Sequence, residues 1–285
     1  MAKVVVVTAC DYRHFELGGE LIASLRAVKQ RDFAIGFIRI GSHELPADIS
    51  TSVDHTAEVA NDRYHTPAID GFDVSYLGVK ARLPELLPGF DTYVWMDGDT
   101  WLQNVDAIHQ AVAAAQHAAV AAACQADANY WARPTVTNHT IRAYKLIYGE
   151  EETRKWAMFP MVNSGVFAAR ASSPLWKQWL DELSLSRRNQ NGRDNQFYSD
   201  QIPLHRLICS GRISFHPMRA VNNWLVLKSQ PIVDMKARKL RAPSVPWEEL
   251  NIVHLAGAAK ETEYRMANGG SISFRYSRIA EFFGL

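Results

Sequence analysis

Cysteine is scarce. Its three copies, Cys10, Cys124 and Cys209, are scattered, odd in number and without C-x-x-C spacing. That excludes a disulfide framework and a cysteine zinc site, and it fits reduced thiols in the cytoplasm. An excess of one charge is also missing: 31 Lys and Arg stand against 30 Asp and Glu, for a net +1. The chain therefore has no global pull toward nucleic acid or another polyanion. No apolar run approaches the roughly 20 residues of a membrane-spanning helix; even the alanine-rich stretch from Ala111 to Ala123 is broken by Gln116 and His117. Val4 to Val7 is too short for a signal peptide and reads as a first core strand. The G-x-G-x-x-G fingerprint of a dinucleotide fold is absent, because Gly18-Gly19 lacks that spacing. There is no internal repeat.

What is present is enough apolar material for one large domain, 47% of 285 residues. Lys3 to Thr8 reads as a strand, Leu17 to Gln30 as a helix and Phe33 to Ile40 as a strand, the opening of an α/β unit. Asp73 or Ser75 can cap a helix running to Leu87, which Pro88-Gly89 stops before a strand from Thr92 to Met96. Val105 to Gln116 then reads as helix and Ala118 to Cys124 as strand. Between Asp127 and Pro160 the periodicity loosens around Tyr130, Trp131, Arg142, Tyr144 and Trp156, so 127–160 is expected to be an insertion. Val166 to Ala169 reads as strand, Pro174 to Leu183 as helix and Ser184 to Asn195 as a polar loop. The segment from Phe274 to Leu285 mixes Arg275 and Arg278 with Phe282, Phe283 and Leu285, which suits a terminal helix packed on the domain or a weak peripheral membrane contact.

Two remote stretches carry chemistry. Tyr93 to Met96 is an apolar run ending in Asp97-Gly98-Asp99, so a buried strand delivers two carboxylates at its C-terminal edge, where open α/β sheets bind ligands. Hard oxygen ligands suit Mg²⁺ or Mn²⁺; the bland alternative is a strand-ending turn. Asn251 to Leu255 is a second short strand, carrying His254 and followed by Gly257 and Lys260. An O,O,N donor set favours Mn²⁺. Gly257 allows close approach of backbone to phosphate, and Lys260 brings a mobile positive charge.

On these motifs, D-x-D at Asp97 to Asp99 and H-x-x-G-x-x-K from His254 to Lys260, the chain resembles glycosyltransferase family 8, the family of glycogenin and bacterial lipopolysaccharide galactosyltransferases. The resemblance implies an α/β fold of GT-A type: a Rossmann-like nucleotide-sugar-binding domain with a mixed central sheet flanked by helices. That catalytic domain would span 1–260, with 261–285 as a C-terminal extension. It implies a metal held by Asp97, Asp99 and His254, and Lys260 on the diphosphate of a UDP-sugar donor. The sequence departs from the family after the lysine, where Glu261-Thr262 replaces the frequent Pro-Trp.

Around this centre, the loop from Thr8 to Tyr12 lies where a nucleotide base is expected, with Asp11 able to accept from a uracil N–H and Tyr12 able to stack. By resemblance, Arg82 contacts the donor, with Lys80 as second choice; Asn163 in a small polar turn before a strand would bind sugar hydroxyls. Ser199-Asp200-Gln201 reads as a helix start. By resemblance, Asp200 and Gln201 face the donor sugar and act with Lys260 in catalysis. The run Lys236, Arg238, Lys239 and Arg241 can fold over a diphosphate or remain a solvated charge run. The expected reaction moves a hexose from a UDP-sugar to an acceptor hydroxyl on a glycan or lipid-linked sugar, with retention implied by the resemblance. A haloacid-dehalogenase-like phosphohydrolase is the alternative enzyme, although such proteins carry Gly-Thr after the second Asp and place the motif near the domain start. A non-catalytic carbohydrate or sugar-nucleotide binder is the third reading, given 8 Trp and 10 Tyr.

Overall fold

A computed structural model of the chain describes residues 3–59, 78–130, 134–190, 199–266 and 269–284. Strand β1 (Val4–Cys10) is a β-branched run buried on both faces, the pattern of a central parallel strand. It pairs in parallel with β2 (Ala34–Ile40) on one side and β4 (Thr92–Met96) on the other, and β2 pairs in parallel with β3 (His55–Val59). The crossover from β1 to β2 is α1 (Phe15–Arg26), which turns Phe15, Leu21, Ile22 and Leu25 onto the sheet. Four-residue α2 (Ala47–Ser50) leads into β3.

Beyond β4 the sheet becomes mixed. Strand β7 (Val162–Arg170) runs antiparallel to both β4 and β6 (Val120–Cys124), and β8 (Phe215–Met218) closes the edge parallel to β6. The seven-stranded order is β3-β2-β1-β4-β7-β6-β8. A second sheet, β5-β12-β9, is built from Thr100–Leu102, Ile252–His254 and Trp224–Leu225, and its β5 follows β4 directly, so that the His254 strand pairs beside the Asp97-Gly98-Asp99 turn. Two hairpins, β10-β11 (Ile232–Asp234, Lys239–Arg241) and β13-β14 (Tyr264–Arg265, Ser271–Ile272), complete the strands.

Helices cover both faces: α3 (Leu83–Leu86), α4 (Asp106–Ala115), α5 (Pro134–Trp156), α6 (Leu175–Gln190), α7 (Gln201–Cys209) and α8 (Tyr276–Phe283). Trp179, Phe167, Tyr93 and Phe37 are essentially inaccessible in the sheet core, and burial of each such side chain stabilises by about 1.5–3 kcal/mol. A separate apolar cluster joins Trp101, Trp224 and Val253 of the second sheet to Phe274, Ile279 and Phe283. The segment after residue 260 is thus packed into the body of the protein, and Arg275 ties it to Glu20 of α1 at 2.6 Å. Among the described residues no helix is long and apolar enough to cross a membrane.

Two local expectations are corrected. Asn163-Ser164-Gly165 is not a turn but the first part of β7, lying between the pairing of Val162 with Cys124 and that of Val166 with Met96, with Asn163 and Ser164 buried. The polar stretch from Ser184 continues α6 to Gln190. Its polar residues at every fourth position, Glu182, Ser186 and Gln190, are buried and hydrogen-bonded: Glu182 accepts from Arg206 at 2.6 Å and Arg212 at 2.5 Å. Polarity that looked like solvent exposure is an internal network. The loosely patterned 134–156 is a helix interrupted at Gly149, and it packs Ala143, Tyr144 and Ile147 against Ile202 of α7. Ahead of β4 the described residues form a 3₁₀ turn, Lys80–Arg82, and the short α3. The caps expected at Asp73 or Ser75, together with Trp131 and residues 191–195, lie outside the described residues.

Candidate metal and donor site

The D-x-D turn is locked to its neighbours by backbone. Asp97 N–H donates to the Gly165 carbonyl at 2.7 Å, Thr100 N–H donates back to the Asp97 carbonyl at 2.9 Å, and Leu255 N–H donates to the Asp99 carbonyl at 2.8 Å. Antiparallel pairing sets His254 opposite Thr100. The effect is to bring a residue 155 positions downstream of Asp99 next to it: His254 Nε2 lies 3.3 Å from Asp99 Oδ1. One donor atom from each of Asp97, Asp99 and His254 falls within 4.8 Å of the other two. In the neutral imidazole these are three lone-pair-bearing atoms, an arrangement that a shared cation relieves.

The cradle depends on missing side chains. A Cβ on Gly165 would stand 2.3 Å from His254 Cε1, 2.7 Å from Asn163 Oδ1 and 2.9 Å from Asp97 Oδ2. Gly165 is therefore the floor of the site, a role that its place in an apparent turn concealed. Gly98 is not in the left-handed region; it is needed because a Cβ would meet Cys10 Sγ at 2.4 Å. Gly257 does adopt a left-handed φ of +61°, which suits glycine and starts the 3₁₀ turn that ends in Lys260.

Two lysines flank the carboxylates. Lys260 Nζ is 3.2 Å from Asp99 Oδ2. Lys80 Nζ is 2.8 Å from both Asp97 Oδ1 and Asp200 Oδ2, donates to the Ser164 carbonyl at 3.2 Å and lies 5.3 Å over the Trp95 ring. Burial disfavours both the Lys80 ammonium and the Asp99 carboxylate, but their partners outweigh it. Asp200 and Asp97 hold Lys80 well above the ordinary lysine range, and Lys260, joined by His254 whenever its ring is protonated, holds Asp99 well below the ordinary carboxylate range. Trp95 Nε1 also donates to Asp97 Oδ1 at 2.7 Å, which leaves Asp97 Oδ2 on the Gly165 side.

No protein-family model matches the sequence, and neither does any curated protein. Solved structures do. The chain superposes on the galactosyltransferase LgtC, solved with donor and acceptor sugar analogs, over 98% of its length and 95% of that protein, at 14% identity and a TM-score of 0.60. The bifunctional glycosyltransferase WbbM matches 90% of this chain and 46% of its own, at 17% identity and a TM-score of 0.54. GlyE of Streptococcus pneumoniae TIGR4 matches 100% and 61%, at 13% identity and 0.53. The chain has the GT-A glycosyltransferase fold.

In this GT-A fold the other expected residues fall as follows. Thr8 is buried beneath the D-x-D turn, its Oγ1 3.8 Å from where a Gly98 Cβ would be. Asp11 caps the 3₁₀ turn Tyr12–His14, and its carboxylate accepts from Arg13 at 2.6 Å and meets His14 Nδ1 at 2.8 Å. Tyr12 is 54% exposed and stacks on His43 at 4.0 Å. Arg82, the expected donor contact, pairs with Glu85, and Lys80, the second choice, stands against the Asp97 and Asp200 carboxylates. At the start of α7 the capping oxygen is Ser199 Oγ, which accepts from Gln201 N–H at 3.1 Å. Asp200 is thereby left to meet Lys80 and Ser164 Oγ, while Gln201 Oε1 accepts from Gln125 at 3.3 Å. Asn163 is buried, its Oδ1 accepting from Gly165 N–H and from Asn223, both at 2.8 Å. The basic run straddles the β10-β11 hairpin, where Lys239 pairs with Glu249 and Arg241 with Asp234. Asn223, absent from the sequence motifs, stands behind His254, with Oδ1 2.8 Å from Nδ1.

Proposed function

We propose that this chain is a metal-dependent glycosyltransferase that moves a hexose from a UDP-sugar to an acceptor hydroxyl on a glycan or lipid-linked sugar, with retention of anomeric configuration. The observation that carries it is the meeting of Asp97, Asp99 and His254 around one point on a GT-A framework, with Lys260 at its edge. The Gly165 cradle and the O,O,N donor set fit a divalent ion such as Mn²⁺ or Mg²⁺. When bound, such an ion would supply charge neutralisation for a diphosphate.

The protein's own residues divide the remaining work. Lys260, on a turn that Gly257 lets the backbone make, would swing from Asp99 to the leaving diphosphate. Lys80 neutralises Asp97 and Asp200 together, which lets the two acids share a small cleft with the donor. Asp200 and Gln201, at the head of α7, would face the sugar and stabilise positive charge growing at the anomeric carbon. Thr8, Asp11 and Tyr12 belong to the base end at the tip of β1, with the exposed ring of Tyr12 as the stacking surface.

The test is a thermal-shift and calorimetric panel of UDP-, GDP- and CMP-sugars with and without Mn²⁺, repeated with Asp99→Asn and His254→Ala. Metal-enhanced binding of a UDP-sugar, lost in both variants, is expected. Nucleotide-sugar binding that ignores the metal and survives both substitutions would overturn the assignment.

A further inference from the structure

A backbone N–H can only donate, and that single fact orients a line of buried side chains. Gly165 N–H lies 2.8 Å from Asn163 Oδ1, so the amide end that it meets must be the carbonyl oxygen. The same oxygen stands 2.8 Å from the side-chain nitrogen of Asn223, which must then be the donor. The other end of the Asn223 amide is consequently its oxygen, and it faces His254 Nδ1 at 2.8 Å. An amide oxygen cannot donate, so Nδ1 carries the proton. A neutral imidazole has only one, which leaves Nε2 as a bare lone pair 3.3 Å from Asp99 Oδ1. Amide orientations and histidine tautomers are commonly ambiguous. Here the ambiguity is removed because the line ends on a main-chain group whose polarity is fixed.

We propose that Asn163 and Asn223 form a relay of fixed polarity, anchored on Gly165 N–H, that holds His254 in the Nδ1–H tautomer and aims the Nε2 lone pair at the point shared with Asp97 and Asp99. Both are positioning residues. Asn163, Asn223 and His254 are 6%, 2% and 4% exposed, so solvent has little access to reset the orientation. The anchor is held because Gly165 also accepts from Asp97 N–H at 2.7 Å, directly beside the pairing of Val166 with Met96. One residue thus fixes a ligand-bearing backbone through its carbonyl and a ligand tautomer through its amide. Partners of this kind on the far nitrogen of a ligating histidine typically change metal affinity by about 10- to 100-fold when removed.

The proposal rests on the metal assignment for its purpose but not for its test, which begins without metal. In ¹⁵N-histidine-labelled full-length protein, metal-free and at a pH where imidazoles are neutral, long-range ¹H–¹⁵N spectra should show His254 with a protonated Nδ1 and an unprotonated Nε2, assigned by loss of the signals in His254→Ala. Asn223→Leu should turn this into a mixture of tautomers and weaken Mn²⁺ binding, read by calorimetry, by about 10- to 100-fold. Asn163→Asp keeps an acceptor for both Gly165 and Asn223 and should leave the tautomer unchanged, whereas Asn163→Leu, of similar size but without the acceptor, should release it. A wild-type His254 protonated on Nε2, or an Asn223→Leu protein with the wild-type spectrum, overturns the relay. If Asn223→Leu does not fold, the wild-type and Asn163→Asp spectra still decide. A locked Nδ1–H tautomer in a protein that binds no Mn²⁺ would uphold the relay and sink the metal assignment instead.

Discussion

Replacing Gly165 by alanine adds one methyl group, and its consequences can be worked out from the three atoms around it. In an open strand position the change would be mildly favourable, because alanine loses less backbone freedom on folding, worth about 0.4–1 kcal/mol. At Gly165 the new carbon would sit 2.3 Å from His254 Cε1, 2.7 Å from Asn163 Oδ1 and 2.9 Å from Asp97 Oδ2. None of these can easily retreat. The His254 ring is held by Asn223, Asn163 Oδ1 by Gly165 itself and Asp97 by Lys80 and Trp95. Overpacking of a well-filled interior costs about 1–3 kcal/mol, so the clash outweighs the entropy gain, and Gly165→Ala should lose about 1–2 kcal/mol in urea unfolding.

The same displacement separates His254 from Asp97, so the loss should extend to metal binding. Mn²⁺ at about a hundredfold over its dissociation constant would stabilise the wild type by about 2.7 kcal/mol; in Gly165→Ala most of that increment should vanish. Gly19→Ala is the matched control. It lies in α1, and its Cβ would meet Ile49 at 3.7 Å, an ordinary contact, so it should be neutral or stabilising by up to about 1 kcal/mol. A Gly165→Ala protein as stable as wild type, with an undiminished Mn²⁺ increment, would refute the claim that this position is the floor of a tight site.

Lys80→Met would leave the Asp97 and Asp200 carboxylates, each 2.8 Å from the lost ammonium, facing one another without a cation; a loss of about 3 kcal/mol is expected by urea unfolding. His205 is buried against Tyr144 and Cys209, and burial lowers its pKa from 6.5 to about 4. Below about pH 6.5 the unfolded chain takes up a proton that the folded chain refuses until about pH 4, so stability should fall across that window as pH drops, by about 3 kcal/mol in full. His205→Gln should flatten that part of the stability profile. Glu182→Gln removes the buried charge that Arg206 and Arg212 share, and should cost about 3 kcal/mol in the same assay, more than the loss from Glu151→Gln on the exposed face of α5.

The alternating first half of the fold was legible because each strand there is a short apolar run and each helix has an apolar stripe of the right period. Val4 to Val7 and Tyr93 to Met96 announce central strands, and α1 and α4 appear within a few residues of their expected bounds. Legibility failed where burial is polar. The stripe Glu182, Ser186, Gln190 has a helical repeat but no hydrophobicity, because its partners Arg206 and Arg212 are supplied by α7 and the turn after it, remote in the chain. Asn163-Ser164-Gly165 has turn composition for the same kind of reason: its amide and hydroxyl groups are satisfied by Asn223 and Asp200, which only the folded sheet brings near.

The candidate site divides along the same line. Asp97, Asp99, His254 and Lys260 could be picked out because hard oxygen donors, an imidazole and an ammonium near glycine declare their chemistry by residue type and spacing. The residues that make those groups usable declare nothing. Whether Lys80 or Arg82 stands against the Asp97 carboxylate depends on which side of a 3₁₀ turn faces it, and residue type alone does not say. Gly165 matters for a side chain that it lacks, and Asn223 for the direction in which an amide is turned, a direction inherited from a main-chain N–H 58 residues earlier. A ligand set can therefore be present in a sequence and still be unfit to bind. Its fitness lies in room and in hydrogen-bond polarity, and in this chain both requirements converge on Gly165, whose missing Cβ opens the cradle and whose N–H orients the imidazole at its rim.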